Sequence, residues 1–263
     1  MWSKGKVYFV GAGPGDPGLI TVKGKQLLEE ADVIVYTGSL LNPDILRLAK
    51  PEAELYDSAV MSLEEIIAIM VSAAKKGKIV VRLHDGDPSF YGAIKEQMDL
   101  LDKEGVDYEV VPGVSSLQAA AAALKRELTL PGISQTIIIT RPKGRTPISN
   151  RESIIELARH QATMAIFLGV AYIDRIVEEL KAGGYPDTTP VAVVYKASWP
   201  EQRIIRGTLM DISEKVKEAG ITSTALILVG QTLEPKNYDR SKLYDASFTH
   251  GYRRGKGKCL SGA

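Results

Sequence analysis

Two carboxylates, Asp85 and Asp87, lie in one short segment, His-Asp-Gly-Asp-Pro, that directly follows an apolar run at residues 79–83. Either carboxylate can bind a hydroxyl group or accept a hydrogen bond from an ammonium group. A solvated turn is the alternative interpretation, because Asp-Gly pairs commonly form turns. His84 ends the same run, and we interpret it as a structural residue. We therefore take the segment 84–92 as a candidate ligand-binding loop.

A second candidate is the glycine-rich segment at residues 10–21, which follows the first predicted strand. A dinucleotide-binding loop needs Gly or Ala where this chain has Asp16 and then Pro17. The second predicted strand ends in Tyr36 and Thr37 and lacks a carboxylate for a ribose. No Gly-Lys-Ser/Thr sequence closes the segment, which excludes a phosphate-binding loop. A stiff, proline-braced loop remains, with either a structural or a ligand-binding role.

The elements that position these loops alternate between apolar runs and segments of helical period. This alternation predicts an α/β protein with a mostly parallel, buried N-terminal sheet. Ligands in such sheets bind beyond the carboxyl ends of the strands, so the loops after these strands are expected to share a cleft. We predict strands at residues 7–10, 33–36, 79–83 and 108–111, and helices at 22–31 (with Thr21 as N-cap), 63–75, 93–103 and 116–124.

A second α/β series is predicted beyond residue 130. It follows an extended connection at residues 128–133, and its sheet is expected to be mixed, because two of its strands are close enough to form an antiparallel hairpin. The predicted strands are 135–140, 163–168, 191–196, 202–208 and 224–229. We predict an N-terminal α/β domain at residues 1–130, a C-terminal α/β domain at 131–235, and a basic, flexible tail at 236–263.

Composition limits the classes of function. The chain has 263 residues and a formal net charge of +1, which gives no general attraction to nucleic acid or acidic membranes. The single cysteine, Cys259, excludes an internal disulfide and gives no support to a metal cluster, so no metal site is predicted. No apolar run is long enough to span a bilayer and no leader is evident, so a cytoplasmic protein is expected.

Three loop motifs occur together and in a fixed order: Gly-Ala-Gly-Pro-Gly-Asp-Pro at 11–17, Gly-Asp-Pro-Ser-Phe-Tyr-Gly at 86–92, and Val-Pro-Gly-Val-Ser-Ser at 111–116. This combination resembles the tetrapyrrole methylases, enzymes of cobalamin and siroheme synthesis that depend on S-adenosylmethionine (SAM). The resemblance extends over about residues 6–235. It implies two α/β domains with the active site in the cleft between them, and a homodimer.

Four further segments resemble one branch of that family, which methylates precorrin-4 or its cobalt form at C-11. They are residues 36–43, 57–59, 127–136 and 139–142. Uroporphyrinogen methylases of the same family have Asp where this chain has Thr37. That difference argues against uroporphyrinogen as the substrate.

The resemblance also implies a set of SAM-binding residues. SAM carries a sulfonium, an adenine, a ribose and an amino-acid end, so it needs no phosphate-binding loop. Leu168 stands where relatives often have Met. The implied cofactor-binding residues are Pro14, Gly86, Asp87, Phe90, Ser115 and Ser116 in the first domain and Leu168, Ala197 and Ala225 in the second, and we add Asp85 because its carboxylate shares a loop with Asp87.

Methyl transfer from a sulfonium is an in-line displacement, which mainly requires orientation and exclusion of water. A general base is optional, and Asp57, Tyr36 and Ser39 are the catalytic candidates by their position at the predicted cleft edge. The substrate carries many carboxylates, which arginine and lysine bind well. We predict Arg141, Arg203 and Lys196 as substrate-binding residues, with Lys143 and Arg145 as further candidates.

Other functions remain open. A methylase of the same fold could act on another tetrapyrrole intermediate, on a modified histidine of elongation factor 2, or on ribosomal RNA, although the chain does not resemble those branches at residues 36–43 and 127–136. A non-catalytic ligand-binding module is a second class. A nicotinamide oxidoreductase is disfavoured by the loop spacing. We therefore expect a corrinoid substrate, with no nucleic-acid or membrane partner.

Overall fold

The computed structural model describes residues 2–144 and 146–256. Arg145 and Cys259 lie outside the described residues. Contacts divide the chain into two units. The first unit comprises residues up to Lys125 together with Val193–Ile205 and Ile221–Leu226, and the second comprises the remainder. The domain limits expected from the sequence stay a prediction.

The first sheet contains five strands within the described residues, in the order β3-β2-β4-β1-β5. All four neighbouring pairs are parallel, which confirms the predicted mostly parallel sheet. Its carboxyl ends therefore lie at one edge. The strands are β1 (Lys6–Gly11), β2 (Val33–Tyr36), β3 (Glu54–Asp57), β4 (Ile79–His84) and β5 (Tyr108–Val111).

Both faces of the three central strands are buried, which explains their nearly continuous apolar sequences. Val7 and Phe9 of β1 pack on one face with helix α2 (Leu63–Lys75), whereas Tyr8 and Val10 pack on the other face with helix α1 (Val22–Glu30). The remaining helices of this part are α3 (Ile94–Lys103) and α4 (Ser116–Leu124).

Hydroxyl side chains cap three of these four helices, whereas α3 begins after Ala93 without a side-chain cap. Thr21 Oγ1 accepts the N–H of Gly24 at 3.1 Å, which confirms the predicted N-cap. Ser62 and Glu65 form a capping box at the start of α2. Ser115 caps α4 by accepting the N–H of Leu117 at 3.2 Å. The helices consequently begin within one residue of the predicted positions.

Strand β3 is absent from the predicted strands. Its sequence, Glu-Leu-Tyr-Asp, lacks β-branched residues, and it forms an edge of the sheet with Glu54 and Leu55 exposed. Hydrophobic patterning is weak where one side of a strand faces solvent and its length is only four residues.

The second sheet also contains five strands within the described residues, in the order β6-β7-β10-β8-β9. β6 and β7 are parallel and β7 and β10 are antiparallel, which confirms the predicted mixed sheet. β8 and β9 are neighbours, as the predicted hairpin requires. The elements are β6 (Ile137–Thr140), α5 (Ile154–Ala158), β7 (Thr163–Ile166), α6 (Ile173–Ala182), β8 (Pro190–Tyr195), β9 (Arg203–Thr208), α7 (Ile212–Glu218) and β10 (Ala225–Val229).

The connection before this sheet is a tight turn, and the predicted extended conformation at residues 128–133 is wrong. Leu130 and Ser134 form an antiparallel bridge around the turn. Pro131 and Gly132, with φ +79° at the glycine, occupy its central positions. Proline followed by glycine favours such a turn, because proline fixes its own φ and glycine tolerates a positive one.

The described part of the C-terminal segment contains local hydrogen-bonded structure. A short 3₁₀ helix spans Lys242–Tyr244, and His250 and Arg253 form a bridge. Asp239 N–H donates to the carbonyl of Pro131 at 3.0 Å. Within residues 2–144 and 146–256, no helix has both the length and the apolar character needed to cross a membrane.

Candidate functional site

Three glycines bring the loops after β1, β4 and β5 into direct backbone contact. A Cβ atom on Gly113 would overlap the carbonyl oxygen of Gly86, and a Cβ on Gly11 would lie 2.6 Å from the Cα of Gly113. The backbones of Gly13 and Gly86 also exchange two hydrogen bonds, of 2.8 and 3.2 Å. A side chain larger than hydrogen cannot fit at Gly11 or Gly113, so these two glycines permit the close approach of the loops.

The first loop, residues 12–16, is held from outside by side chains. Trp199 Nε1 donates to the carbonyl of Pro14 at 2.9 Å, and Asn42 Nδ2 donates to the carbonyl of Gly15 at 2.8 Å. Ser198 Oγ accepts the N–H of Asp16 at 3.0 Å. The polar groups of this loop are therefore fixed in direction.

Asp87 joins two of the loops. One carboxylate oxygen accepts the N–H of Gly113 at 2.8 Å, and the other accepts the N–H and the hydroxyl of Ser89. The predicted cofactor-binding role of Asp87 stays a prediction. Its observed bonds hold the loop after β4 against the loop after β5.

Asp85 lies two residues before Asp87 and is half-buried. Burial raises the pKa of Asp85, although the nearby Arg82 guanidinium opposes the rise. Arg82 is buried and donates to Gln97 Oε1 at 3.0 Å and to the carbonyl of Val35 at 3.2 Å. Burial lowers the pKa of Arg82 to about 10. This end of β4 therefore combines a buried cation with a partly buried carboxyl group.

His84 is buried beside these residues. Its ring stacks with that of Phe9 at a centroid distance of 6.2 Å. Among the described residues its Nε2 has no hydrogen-bond partner. Burial, reinforced by the Arg82 charge, lowers the pKa of His84 to about 3. A neutral imidazole packed in this way agrees with the structural interpretation.

The predicted residues around α4 lie at its first turn. Ser115 is buried and its hydroxyl caps the helix, whereas Ser116 is the first helical residue and is half-buried. Phe90, in the loop after β4, presents 36% of its surface to solvent. An exposed aromatic ring offers an apolar surface to a small ligand, and the first turn of a helix offers backbone N–H donors.

The three catalytic candidates lie at the ends of β2 and β3. Tyr36 and Asp57 pair with each other across the neighbouring strands β2 and β3. Ser39 is exposed and lies three residues after Tyr36. Asp57 Oδ1 accepts the N–H of Gly38 at 3.1 Å and that of Ala59 at 2.8 Å. The structure thus brings the three residues together, and their catalytic roles stay a prediction.

The residues predicted for the adenine end fall in different units. Ala197 and Ala225 belong to the first unit, and the N–H of Lys196 donates to the carbonyl of Thr224 at 2.9 Å beside them. Leu168 belongs to the second unit, is 58% exposed and has φ +53°. The predicted strand 163–168 ends at Ile166, so Leu168 lies in the following loop. Such backbone strain in a non-glycine residue commonly accompanies a functional site.

The three predicted substrate-binding cations have local partners. Lys196 Nζ lies 4.7 Å from the Trp199 ring and 3.9 Å from a Glu201 oxygen. Arg203 stacks on Tyr195 at 4.9 Å. Arg141 belongs to the second unit and donates, at 3.3–3.5 Å, to the carbonyls of Pro142, Thr146 and Pro147. Their roles toward a substrate stay predictions.

Sequence reasoning missed Asn42, Arg82, Ser198 and Trp199, which fix the loops. Trp199 carried a usable signal, because it is one of two tryptophans and lies in a loop between predicted strands. Arg82 interrupts an otherwise apolar strand, which also marks it. Asn42 and Ser198 had no such signal, since their partners are distant in sequence.

Polar loops gathered at the carboxyl edge of a parallel sheet, with carboxylates among them, are the usual place of a small-molecule site in an α/β protein. The chain belongs to the Tetrapyrrole (Corrin/Porphyrin) Methylases, whose sequence model matches residues 6–213. This confirms the family resemblance and makes the protein a methyltransferase.

One relative is a cobalt-precorrin-4 C(11)-methyltransferase from Methanocaldococcus jannaschii. It is 64% identical over 249 residues, which cover 95% of this chain and 96% of the relative. The X-ray structure of a cobalt precorrin-4 methyltransferase, described as a cobalamin biosynthetic enzyme, is 48% identical with a TM-score of 0.86, covering 88% of this chain and 97% of that chain.

A second solved structure is a uroporphyrin-III C-methyl transferase from Thermus thermophilus, complexed with S-adenosyl homocysteine. It is 30% identical with a TM-score of 0.72, and the match covers 87% of this chain and 93% of that chain. Family and structure together support SAM as the methyl donor. The chain's groups fit this donor chemically, because exposed Phe90 suits an apolar ring and the carboxyl of Asp85 suits a hydroxyl or ammonium group.

Proposed function

We propose that this chain transfers a methyl group from SAM to C-11 of cobalt-precorrin-4 or precorrin-4 in cobalamin biosynthesis. The observation that carries the proposal is the 64% identity, across nearly the whole of both chains, to a relative named for this reaction. The solved structure with TM-score 0.86 supports it independently. Because that relative is named for the cobalt form, cobalt-precorrin-4 is the first substrate to test.

Bound SAM supplies a methyl group on a positively charged sulfur, which leaves as a neutral thioether when the substrate carbon takes the methyl. The chain binds and orients the two reactants and excludes water. The rigid loop contacts described above support this role. The proposed SAM-binding residues are Pro14, Asp85, Gly86, Asp87, Phe90, Ser115, Ser116, Leu168, Ala197 and Ala225.

We assign Asp57, Tyr36 and Ser39 to the removal of a proton from the methylated macrocycle. Both bonds of Asp57 use Oδ1, and among the described residues its Oδ2 accepts none. Oδ2 is therefore available to take a proton while Oδ1 holds the Gly38 and Ala59 backbone. Tyr36 is fixed nearby, because Ser58 Oγ donates to its carbonyl at 2.9 Å.

Asp57→Asn separates the two roles of this carboxylate, which are holding the backbone through Oδ1 and taking a proton at Oδ2. Asparagine keeps an acceptor oxygen for the backbone but cannot act as a base, so kcat should fall about 100-fold with the KM for each substrate unchanged. Asp44→Asn is the matched control, because Asp44 pairs with the exposed Arg47. An unchanged kcat in Asp57→Asn would remove Asp57 from the catalytic set.

We assign Lys196, Arg203 and Arg141 to the carboxylates of the substrate. Arg203 stacks on Tyr195 and the Lys196 ammonium lies over Trp199, and arginine and lysine side chains bind carboxylates well. Neutral variants such as Arg203→Gln should raise the KM for the tetrapyrrole without raising the KM for SAM. Arg159→Gln is a control, since Arg159 pairs with Glu156 on an exposed helix.

The reaction is tested by incubating the purified chain with methyl-labelled SAM and either cobalt-precorrin-4 or precorrin-4. Mass spectrometry counts the label and NMR locates it. The expected product carries one labelled methyl at C-11. Absence of transfer to both substrates would overturn the assignment, and transfer to uroporphyrinogen III or ribosomal RNA in parallel incubations would favour the alternatives.

A homodimer, as the family resemblance implies, and a location in the cytoplasm complete the proposal. Light scattering on the purified chain tests the oligomeric state, and fractionation of cells tests the location. A monomer at micromolar concentration would contradict the first expectation, and recovery in the membrane fraction would contradict the second.

A further inference from the structure

The side chain of Trp199 lies directly against the glycine-rich loop. Its indole N–H donates to the carbonyl of Pro14 at 2.9 Å. A Cβ atom on Gly15 would overlap the indole ring, so the ring is packed against the Gly15 backbone. Trp199 thus fixes both the direction of the Pro14 carbonyl and the path of the chain that follows it.

Two further side chains hold the same loop beside the Trp199 contact. Asn42, 7% exposed, donates to the carbonyl of Gly15, and Ser198 accepts the N–H of Asp16. Three successive residues of the loop therefore each have a side-chain partner from a distant part of the sequence. All of these residues belong to the first unit.

The turn that carries Trp199 is itself held in one conformation. The N–H of Trp199 donates to the carbonyl of Lys196 at 3.0 Å, and the N–H of Ser198 donates to Gln202 Oε1 at 2.8 Å. Lys196 and Ser198 have positive φ values of +46° and +69°. Such strain persists only where surrounding contacts impose it. In addition, the ammonium of Lys196 lies over the indole ring of Trp199, 4.7 Å from its centroid.

We propose that Trp199 is a positioning residue for the methyl donor, which presents the Pro14 segment in the conformation that binds SAM. This inference rests on the proposed function, in which Pro14 contacts SAM. Without the indole, the loop must be ordered when SAM binds, and this cost lowers the affinity. The chemistry at the methyl group is not altered, because Trp199 acts through the loop.

Trp199→Phe tests the inference, since phenylalanine keeps an aromatic ring but loses the N–H donor. The Kd for S-adenosylhomocysteine, measured by calorimetry, should rise about 3- to 10-fold, the loss expected for one neutral hydrogen bond. Trp199→Ala should raise it further. The KM for SAM should rise in parallel, with kcat at saturating SAM unchanged.

Trp2→Phe is the matched control, because Trp2 packs on Tyr8 and Lys23, away from the loop. Its Kd should equal that of the unchanged protein. Asn42→Ala, which removes the side-chain donor to the Gly15 carbonyl, should also raise the Kd for S-adenosylhomocysteine. A melting temperature lowered in Trp199→Phe with an unchanged Kd would mean a merely structural role and would overturn the inference. Failure of the unchanged protein to bind S-adenosylhomocysteine would instead overturn the proposed function.

Discussion

The Asp87 carboxylate accepts the backbone N–H of Gly113 at 2.8 Å and so joins the loop after β4 to the loop after β5. The two residues are 26 positions apart in sequence. Beneath this bond the backbone of Gly113 touches that of Gly86. A charge-assisted hydrogen bond and a glycine contact therefore define the same loop junction, and each can be changed separately.

Asp87→Ala removes the acceptor at this junction. We expect the Kd for S-adenosylhomocysteine to rise about tenfold, because a hydrogen bond to a charged group contributes about 1.5–3 kcal/mol and part of it is spent on loop order. Calorimetry measures the change. Asp99→Ala is the control, since Asp99 pairs with the exposed Lys95 on α3. Equal affinities in both variants would contradict a role of Asp87 at the site.

Gly113→Ala tests the backbone contact. The added Cβ would overlap the Gly86 carbonyl oxygen, and because backbone atoms cannot rotate away, we expect a loss of about 2 kcal/mol or more in the free energy of unfolding. Urea unfolding measures it. Gly251→Ala is the control, because nothing lies within 4 Å of a Cβ there, and it should change stability by less than about 0.5 kcal/mol.

The buried His84 makes stability depend on pH. Its pKa is lowered from 6.5 to about 3 by burial, so between these values the unfolded chain binds more protons than the folded chain. Stability is therefore complete above pH 6.5 and falls as the pH falls toward 3, by up to about 1.4 kcal/mol per pH unit.

His84→Gln isolates this effect, because glutamine does not titrate. Asp85, whose pKa is raised by burial, is present in both proteins and largely cancels in the comparison. Urea unfolding between about pH 7 and pH 5 should show a stability difference that changes with pH in the stated direction. A difference that is constant over this range would show that His84 is not held neutral.

Arg82→Met tests the buried guanidinium. The variant leaves Gln97 Oε1 and the carbonyl of Val35 without their donor, so we expect a loss of about 2–4 kcal/mol in the free energy of unfolding. Arg47→Met is the control, because Arg47 is 82% exposed and pairs with Asp44, and it should cost under about 1 kcal/mol. Similar losses in the two variants would mean that Arg82 does not stabilise the loop ends.

Most of the fold could be predicted from the sequence, because the information is local. Apolar runs gave β1, β2, β4 and β5, and the N-cap at Thr21 fixed where α1 begins. Prediction failed where local patterning is weak. The exposed edge strand β3 lacks β-branched residues. The turn at Pro131 is a different failure, because its Pro-Gly pair is a local turn signal that the predicted extended connection did not take into account.

The sequence by itself determined the family, the mostly parallel first sheet and the loops that carry the candidate site, since all three follow from ordered motifs and periodicity. Only the tertiary structure decided what holds those loops. The partners of Pro14 and Asp16 lie 185 and 182 residues away, at Trp199 and Ser198. Side-chain hydrogen bonds between residues so far apart in sequence depend on how the chain packs, so they cannot be predicted from a local sequence pattern.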